Sequence, residues 1–238
     1  AQSSFEYKET HGHFPLWTNS MFGGMPGYTI AMDSENPVSI GIFHKIFTLF
    51  LPEPISFFFL LCIGFYFLTQ VFKVDYRLGI LGALGYAYAS FIPIIVTVGH
   101  VTQVLAMGYV PAMLGAMFLV FQKKYWSGTA LSTLFASLLI SMNHPQITYY
   151  LLLTAVFVII VYGIQWIREK EIKHMLVSAG ILLVASVVAL CINMITLATT
   201  YDYSKATMRG GSEIIDTATN GTKKSTGLPI DYAFNWSY

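Results

Sequence analysis

A polytopic bundle of transmembrane α-helices is the fold class this chain predicts, and three observations carry the prediction. Of its 238 residues, 55% are hydrophobic and only 11% are charged, with a mean hydropathy of +0.61, a balance foreign to soluble domains. The apolar residues form continuous runs close to the roughly 20 residues a helix needs to cross about 30 Å of hydrocarbon. Basic residues recur in alternate short connections between those runs. A transmembrane barrel would show alternating segments of about ten residues instead. Because hydrocarbon offers a free backbone amide no partner, runs this continuous are helices.

Residues 1–51 precede the runs and read as an extracytoplasmic loop. His11 and His13 form a His-Gly-His pair, which reads as an exposed loop because no second cluster has zinc-ligand spacing. Phe14-Pro15-Leu16-Trp17-Thr18-Asn19-Ser20-Met21-Phe22-Gly23-Gly24-Met25-Pro26-Gly27-Tyr28 mixes aromatics with turn-forming Gly and Pro, the composition of a compact loop. Trp17 is its candidate substrate contact, although aromatics here also serve as headgroup anchors. Phe43 to Leu51, bounded by Asn36-Pro37 and Pro52-Glu53-Pro54, is too short to span and reads as an interfacial helix.

Six spans follow within residues 52–200: Ile55 to Phe72, Leu78 to Thr97, Val104 to Phe121, Ser127 to Met142, Ile147 to Ile167 and Met175 to Ala198. The fourth is rich in small residues, among them Gly128, Ser132, Ala136 and Ser137, which let backbones approach closely and place it inside the bundle. Pro93 and Pro111 interrupt the second and third runs and predict kinks or breaks. Asn193, polar within the sixth run, is expected to face protein. Cys62 and Cys191 lie within spans and read as packing residues. Residues 201–238 begin a further extracytoplasmic segment.

Orientation follows from the basic residues, which short cytoplasmic loops retain. Lys73 and Arg77 follow the first span, Lys123 and Lys124 the third, and Arg168, Lys170 and Lys173 the fifth; the loops holding His100 and His144 carry no Lys or Arg. Residues 1–51 and 201–238 are therefore expected outside the cytoplasm. The net charge of +1 and the lack of a basic patch exclude a nucleic-acid partner. An extracytoplasmic start needs an earlier span to deliver it, so the sequence reads as a fragment preceded by at least one helix.

Three polar knots interrupt the apolar chain: Gly99-His100-Val101-Thr102-Gln103, Asn143-His144-Pro145-Gln146 and Tyr201-Asp202-Tyr203-Ser204-Lys205. All are expected at the extracytoplasmic face. His100 and His144 suit hydrogen bonding to phosphate or sugar hydroxyls, or proton transfer near neutral pH, with Gln103 and Asn143 beside them. Arg209, in Met208-Arg209-Gly210-Gly211, pairs a guanidinium with flexible backbone amides and suits phosphate oxygens.

Four segments in this order, Phe14 to Pro26, Gly99-His100-Val101-Thr102-Gln103-Val104-Leu105-Ala106, Asn143-His144-Pro145-Gln146-Ile147-Thr148-Tyr149-Tyr150 and Met208-Arg209-Gly210-Gly211-Ser212, together resemble the YfhO family of bacterial membrane proteins, in its Bacteroidetes form. The resemblance runs along nearly the whole chain. It implies a GT-C-like architecture in the bacterial inner membrane, an active site on the outer face and a polyprenyl-phosphate sugar as donor. Some Gram-positive relatives are implicated in glycosylating cell-envelope polymers, which implies an envelope polymer or protein as acceptor. The family's catalytic aspartate is expected just before Ala1.

Inverting transfer from a polyprenyl phosphate requires a carboxylate, to take the acceptor's proton or hold a cation, and donors for the departing phosphate. Asp33 and Glu35, between the aromatic loop and the interfacial helix, are the candidate catalytic acids, although Asp33-Ser34-Glu35-Asn36-Pro37 is equally a solvated turn and helix start. Oxygen ligands and phosphate point to Mg²⁺ or Mn²⁺. Two rival classes are a secondary transporter, disfavoured because the spans are nearly free of ionisable groups and internal repeats, and a noncatalytic scaffold for an envelope partner.

Overall fold

The computed structural model describes residues 2–13, 15, 17–18, 25–26 and 40–205. The chain divides into two compact units, Val38–Asn193 and a second made of Ala1–Pro37 with Met194–Tyr238. In the second unit, the described elements are α1 (Gln2–His11), a two-residue antiparallel pairing of β1 (Trp17–Thr18) with β2 (Met25–Pro26), and α10 (Met194–Lys205). The knot Tyr201 to Lys205 is thus helical at the end of α10 rather than loop. On α1, His11 stacks on Tyr7 with ring centroids 4.0 Å apart.

The unit Val38–Asn193 is a helical bundle. It holds α2 (Gly41–Phe47), α3 (Ile55–Val71), α4 (Tyr76–Ala87), α5 (Phe91–Thr97), α6 (Val101–Phe121), α7 (Tyr125–Ser141), α8 (Pro145–Arg168) and α9 (Ile172–Ile192). Among the described residues, α6, α8 and α9 are each long and apolar enough to cross a membrane, and α4 with α5 passes as one span bent by 44°. Helix α3 is apolar but only 17 residues long, and α7 has the same length. The chain is therefore a helical membrane protein with, among the described residues, three candidate spanning helices, or four if the bent pair is one span.

Helix α6 is the hub, packing against α3, α5, α7, α8 and α9. Its contact with α3 is close because Gly64 and Gly108 face one another: a Cβ on Gly64 would collide with the Gly108 carbonyl, and one on Gly108 would meet Leu60 at 2.7 Å. The small-residue reading of the fourth run holds, since Ser132, Ala136 and Ser137 are all buried on α7. The face that α8 and α9 turn outward is instead an expanse of exposed Leu, Ile, Val and Phe, suited to lipid.

Each proline acts through the carbonyl four residues before it. Pro93 excludes a straight helix through Ala89, so the second run stops at Ala87 and restarts at Phe91. Pro111 leaves α6 continuous, because the Met107 carbonyl it deprives of a partner accepts from the Tyr86 hydroxyl at 2.8 Å. The sixth run also departs from expectation. It ends at Ile192, where the buried Asn193 amide donates to the Ala189 carbonyl at 2.9 Å and to the Ser137 carbonyl on α7 at 3.0 Å. Asn193 does face protein, as its polarity required, but as a helix stop rather than within a span.

Hydrogen bonds sort the turns to two ends of this bundle. At one end the Gln122 side-chain amide donates to the Val71 carbonyl at 3.0 Å, and Lys123 pairs with Glu171 at 2.7 Å. The basic turns after α3, α6 and α8 therefore gather there, with Trp126 94% exposed beside them. At the other end Thr102 meets His144, joining the turns before α6 and before α8. The alternation of basic and histidine-bearing loops in the sequence corresponds to these two ends.

Candidate functional site

The histidine end is built from helix starts. His100 is the N-cap residue of α6 and His144 that of α8, where Pro145 occupies a first-turn position that needs no N–H donor. The preceding turns close tightly: Gly99 has φ +86 and Asn143 φ +51, conformations that favour Gly and tolerate Asn. The knots are thus compact reversals that fix two imidazoles at the mouth of an apolar bundle.

There, Thr102 Oγ1 lies 3.3 Å from His144 Nδ1. His144 Nε2 is a buried atom with no hydrogen-bond partner among the described residues. Burial lowers the His144 pKa from its ordinary value, and the nearby His100 lowers it further. A neutral imidazole follows at pH 7. If the Thr102 hydroxyl donates to Nδ1, Nε2 carries the hydrogen and is a donor; in the other tautomer it is an acceptor. Either way this nitrogen is a candidate hydrogen-bonding group, since a buried polar atom left unpaired is destabilising by about 1–3 kcal/mol.

Another histidine, not singled out by sequence reasoning, contacts α6 further along its length. His44 on α2 places Nδ1 2.7 Å from the hydroxyl of Tyr109, which is 1% exposed. Tyr109 follows Thr102 by seven residues, about 10 Å along the helix axis. Phe47 packs against Phe135 with ring centroids 5.4 Å apart. Together these contacts dock α2 on the bundle, so the apolar stretch expected to lie as an interfacial helix is pinned by a buried hydrogen bond. Burial and, secondarily, Lys45 lower the His44 pKa.

The sequence-derived candidates divide accordingly. His100 is exposed, while Gln103, Asn143 and His144 are half-buried in the same two turns. Trp17 is exposed in the other unit. Asp33, Glu35 and Arg209 lie outside the described residues. Among the described residues no group of three or more His, Cys, Asp or Glu side chains could hold a metal ion, so Mg²⁺ or Mn²⁺ is assigned no ligand. Tyr150, expected beside His144, accepts from the Gln146 amide at 2.8 Å on the first turns of α8.

Sequence reasoning also missed His174. It is 6% exposed at the basic end, with Nδ1 2.7 Å from the Tyr125 hydroxyl and Nε2 3.0 Å from the Phe121 carbonyl. The carbonyl fixes Nε2 as the donor and leaves Nδ1 to accept from Tyr125. Both nitrogens are satisfied, which makes this a tie between α6, α7 and α9 rather than a ligand site.

No family model, curated protein or solved structure matches this chain. Its functional reading therefore rests on the residues themselves. The contrast between His174, fully partnered, and His144, with one buried nitrogen unmet, selects the histidine end as the candidate site.

Proposed function

We propose that this chain is part of a membrane glycosyltransferase-like protein, transferring a sugar from a polyprenyl phosphate to a cell-envelope acceptor at the extracytoplasmic face of the bacterial inner membrane. The observation that carries the reading is the unmet Nε2 of His144, held by Thr102 and kept neutral beside His100 at the mouth of an apolar bundle. In this reading α3, the bent pair α4–α5, α6, α7, α8 and α9 make six crossings of a GT-C-like bundle. The histidine end then faces outward and the basic end lies in the cytoplasm, in keeping with the positive-inside rule.

The chemistry assigns a role to each group. The acceptor hydroxyl attacks the anomeric carbon, a new carbon–oxygen bond forms as the bond to the phosphate oxygen breaks, and the hydroxyl proton passes to a carboxylate, for which Asp33 and Glu35 are the candidates. His144 donates from Nε2 to a phosphate oxygen as negative charge gathers there; Arg209, outside the described residues, is a phosphate candidate on the chemistry of its guanidinium alone. Gln103 and Asn143, in the same two turns, supply hydrogen bonds to sugar hydroxyls, while Trp17 is a sugar-stacking candidate on its exposed ring alone. Mg²⁺ or Mn²⁺ would supply further charge neutralisation if carboxylates outside the described residues hold it.

The test is made in cells lacking the full-length protein. Complementation by wild type is expected to restore an envelope-linked sugar, measured by compositional analysis. His144→Asn, which keeps a Thr102 partner and deletes Nε2, is expected to reduce that sugar about tenfold at equal protein abundance. Equal restoration by both would remove His144 from the site and favour a scaffold.

A further inference from the structure

Away from the histidine end, the outer side of α8 carries two recesses that share one lining residue. One, of about 270 Å³, is lined by Phe72, Phe118, Phe157, Val158, Val161 and Tyr162, from the end of α3 and from α6 and α8. Its rings are mutually packed, with Phe72 and Phe118 4.7 Å and Phe118 and Tyr162 5.8 Å apart, so the slot is preformed. Only Tyr162 brings it a polar atom, a hydroxyl with no hydrogen-bond partner among the described residues. The other recess, open and about 500 Å³, is lined by Val161, Ile164, Gln165, Arg168 and Glu169. Val161 belongs to both.

We propose that these two recesses, adjoining at Val161, together bind one glycerophospholipid with a phosphoethanolamine-type headgroup, an acyl chain lying on the aromatic slot, the phosphate on Arg168 and the primary ammonium on Glu169. Charge complementarity commits them to this occupant. Arg168 makes no ion pair among the described residues and offers a forked donor to phosphate. Glu169 accepts from the Gln165 amide through Oε1 at 2.9 Å, which leaves Oε2 for an ammonium N–H. A glycerol headgroup would leave the carboxylate facing no cation, and a quaternary ammonium has no N–H to donate.

Depth agrees with chemistry. From Phe157 to Arg168 the helix rises about 16 Å, close to half of the roughly 30 Å hydrocarbon thickness, so the two recesses together span one leaflet and Arg168 reaches its surface. Trp126, almost fully exposed at the same end, marks the headgroup level independently. This inference does not depend on the proposed transferase activity.

The test is native mass spectrometry of the detergent-purified full-length protein, offered equal amounts of phosphatidylethanolamine, phosphatidylglycerol and phosphatidylcholine of distinct masses. Wild type is expected to retain phosphatidylethanolamine about tenfold over the other two. Arg168→Gln should lower all three adducts. Glu169→Gln should equalise phosphatidylethanolamine with phosphatidylcholine while binding persists. Val161→Trp, which fills the junction, should abolish retention, whereas Leu183→Trp on the exposed face of α9 should leave it intact. Equal retention of the three lipids by wild type, preference for phosphatidylglycerol, displacement by polyprenyl phosphate alone, or unchanged retention in Arg168→Gln would each overturn the assignment.

Discussion

At the scale of single residues, the four histidines of the bundle separate by what their nitrogens meet. His100 and His144 were legible because they stand in polar knots between apolar runs. His44 and His174 were not, because their partners lie 65 and 53 residues away in sequence and local spacing carries no trace of such pairs. The one available signal for His44 was its position three residues before Phe47, on the same helical face. Burial gives His44 and His144 a shared pH dependence. The unfolded chain takes up a proton near pH 6.5 on each, while the folded protein, with both pKa values lowered, does so only further down. Stability from these groups is therefore complete above pH 6.5 and lost as pH falls below it. Thermal unfolding in detergent should show a midpoint that drops between pH 7 and pH 5, less steeply in His44→Asn, which keeps an acceptor for Tyr109. A flat profile in wild type would contradict the buried neutral imidazoles.

Most helices between Ile55 and Ile192 were legible to within a few residues, since their apolar content shows directly, whereas α1 falls where His11 was read as part of an exposed loop, and the sixth run stops at Ile192 rather than Ala198. Their ends were harder. Three of them close with a lysine in the left-handed region, Lys73 at φ +58, Lys123 at φ +64 and Lys170 at φ +60, where Gly is customary. Each makes the paired Schellman bonds, for example Lys73 N–H to the Gln70 carbonyl at 3.0 Å and Val74 N–H to the Thr69 carbonyl at 3.1 Å. A positive charge at a helix C-terminus offsets part of the backbone strain, so loop charge and helix stop coincide in one residue. Lys73→Val, β-branched in that conformation, should lower stability by about 1–2 kcal/mol, read as a shift of the unfolding midpoint, while Lys73→Gly should not. The prolines were visible in sequence; what satisfies Pro111 was not. Tyr86→Phe would strip the Met107 carbonyl of its replacement donor among the described residues and should be destabilising by about 1 kcal/mol, within the range of interhelical hydrogen bonds in membranes. An unchanged midpoint would show that α6 needs no such support. Gly64→Val, driven into the Gly108 carbonyl, should be worse, by about 3 kcal/mol, because two backbones rather than a flexible side chain resist it.

At the scale of the whole molecule, composition fixed the membrane class, and the alternation of basic loops foretold two chemically distinct bundle ends. Hydrogen bonds and the Lys123–Glu171 pair now connect the basic turns, and that pairing raises the lysine pKa and lowers that of the glutamate. Crossing number was less legible, since a 17-residue helix and a bent pair look in sequence like ordinary spans. Sidedness is testable by labelling cysteines introduced at Lys124 and at His100 in intact cells. A membrane-impermeant maleimide is expected to modify the second and spare the first, and the reverse pattern would invert the proposed topology. The central claim, that the histidine end holds a lipid-linked phosphate, is tested most directly by titrating polyprenyl phosphate into the purified full-length protein and into His144→Asn. Saturable binding that weakens about tenfold in the variant is the expected result; binding that is absent from wild type, or identical in both, would contradict it.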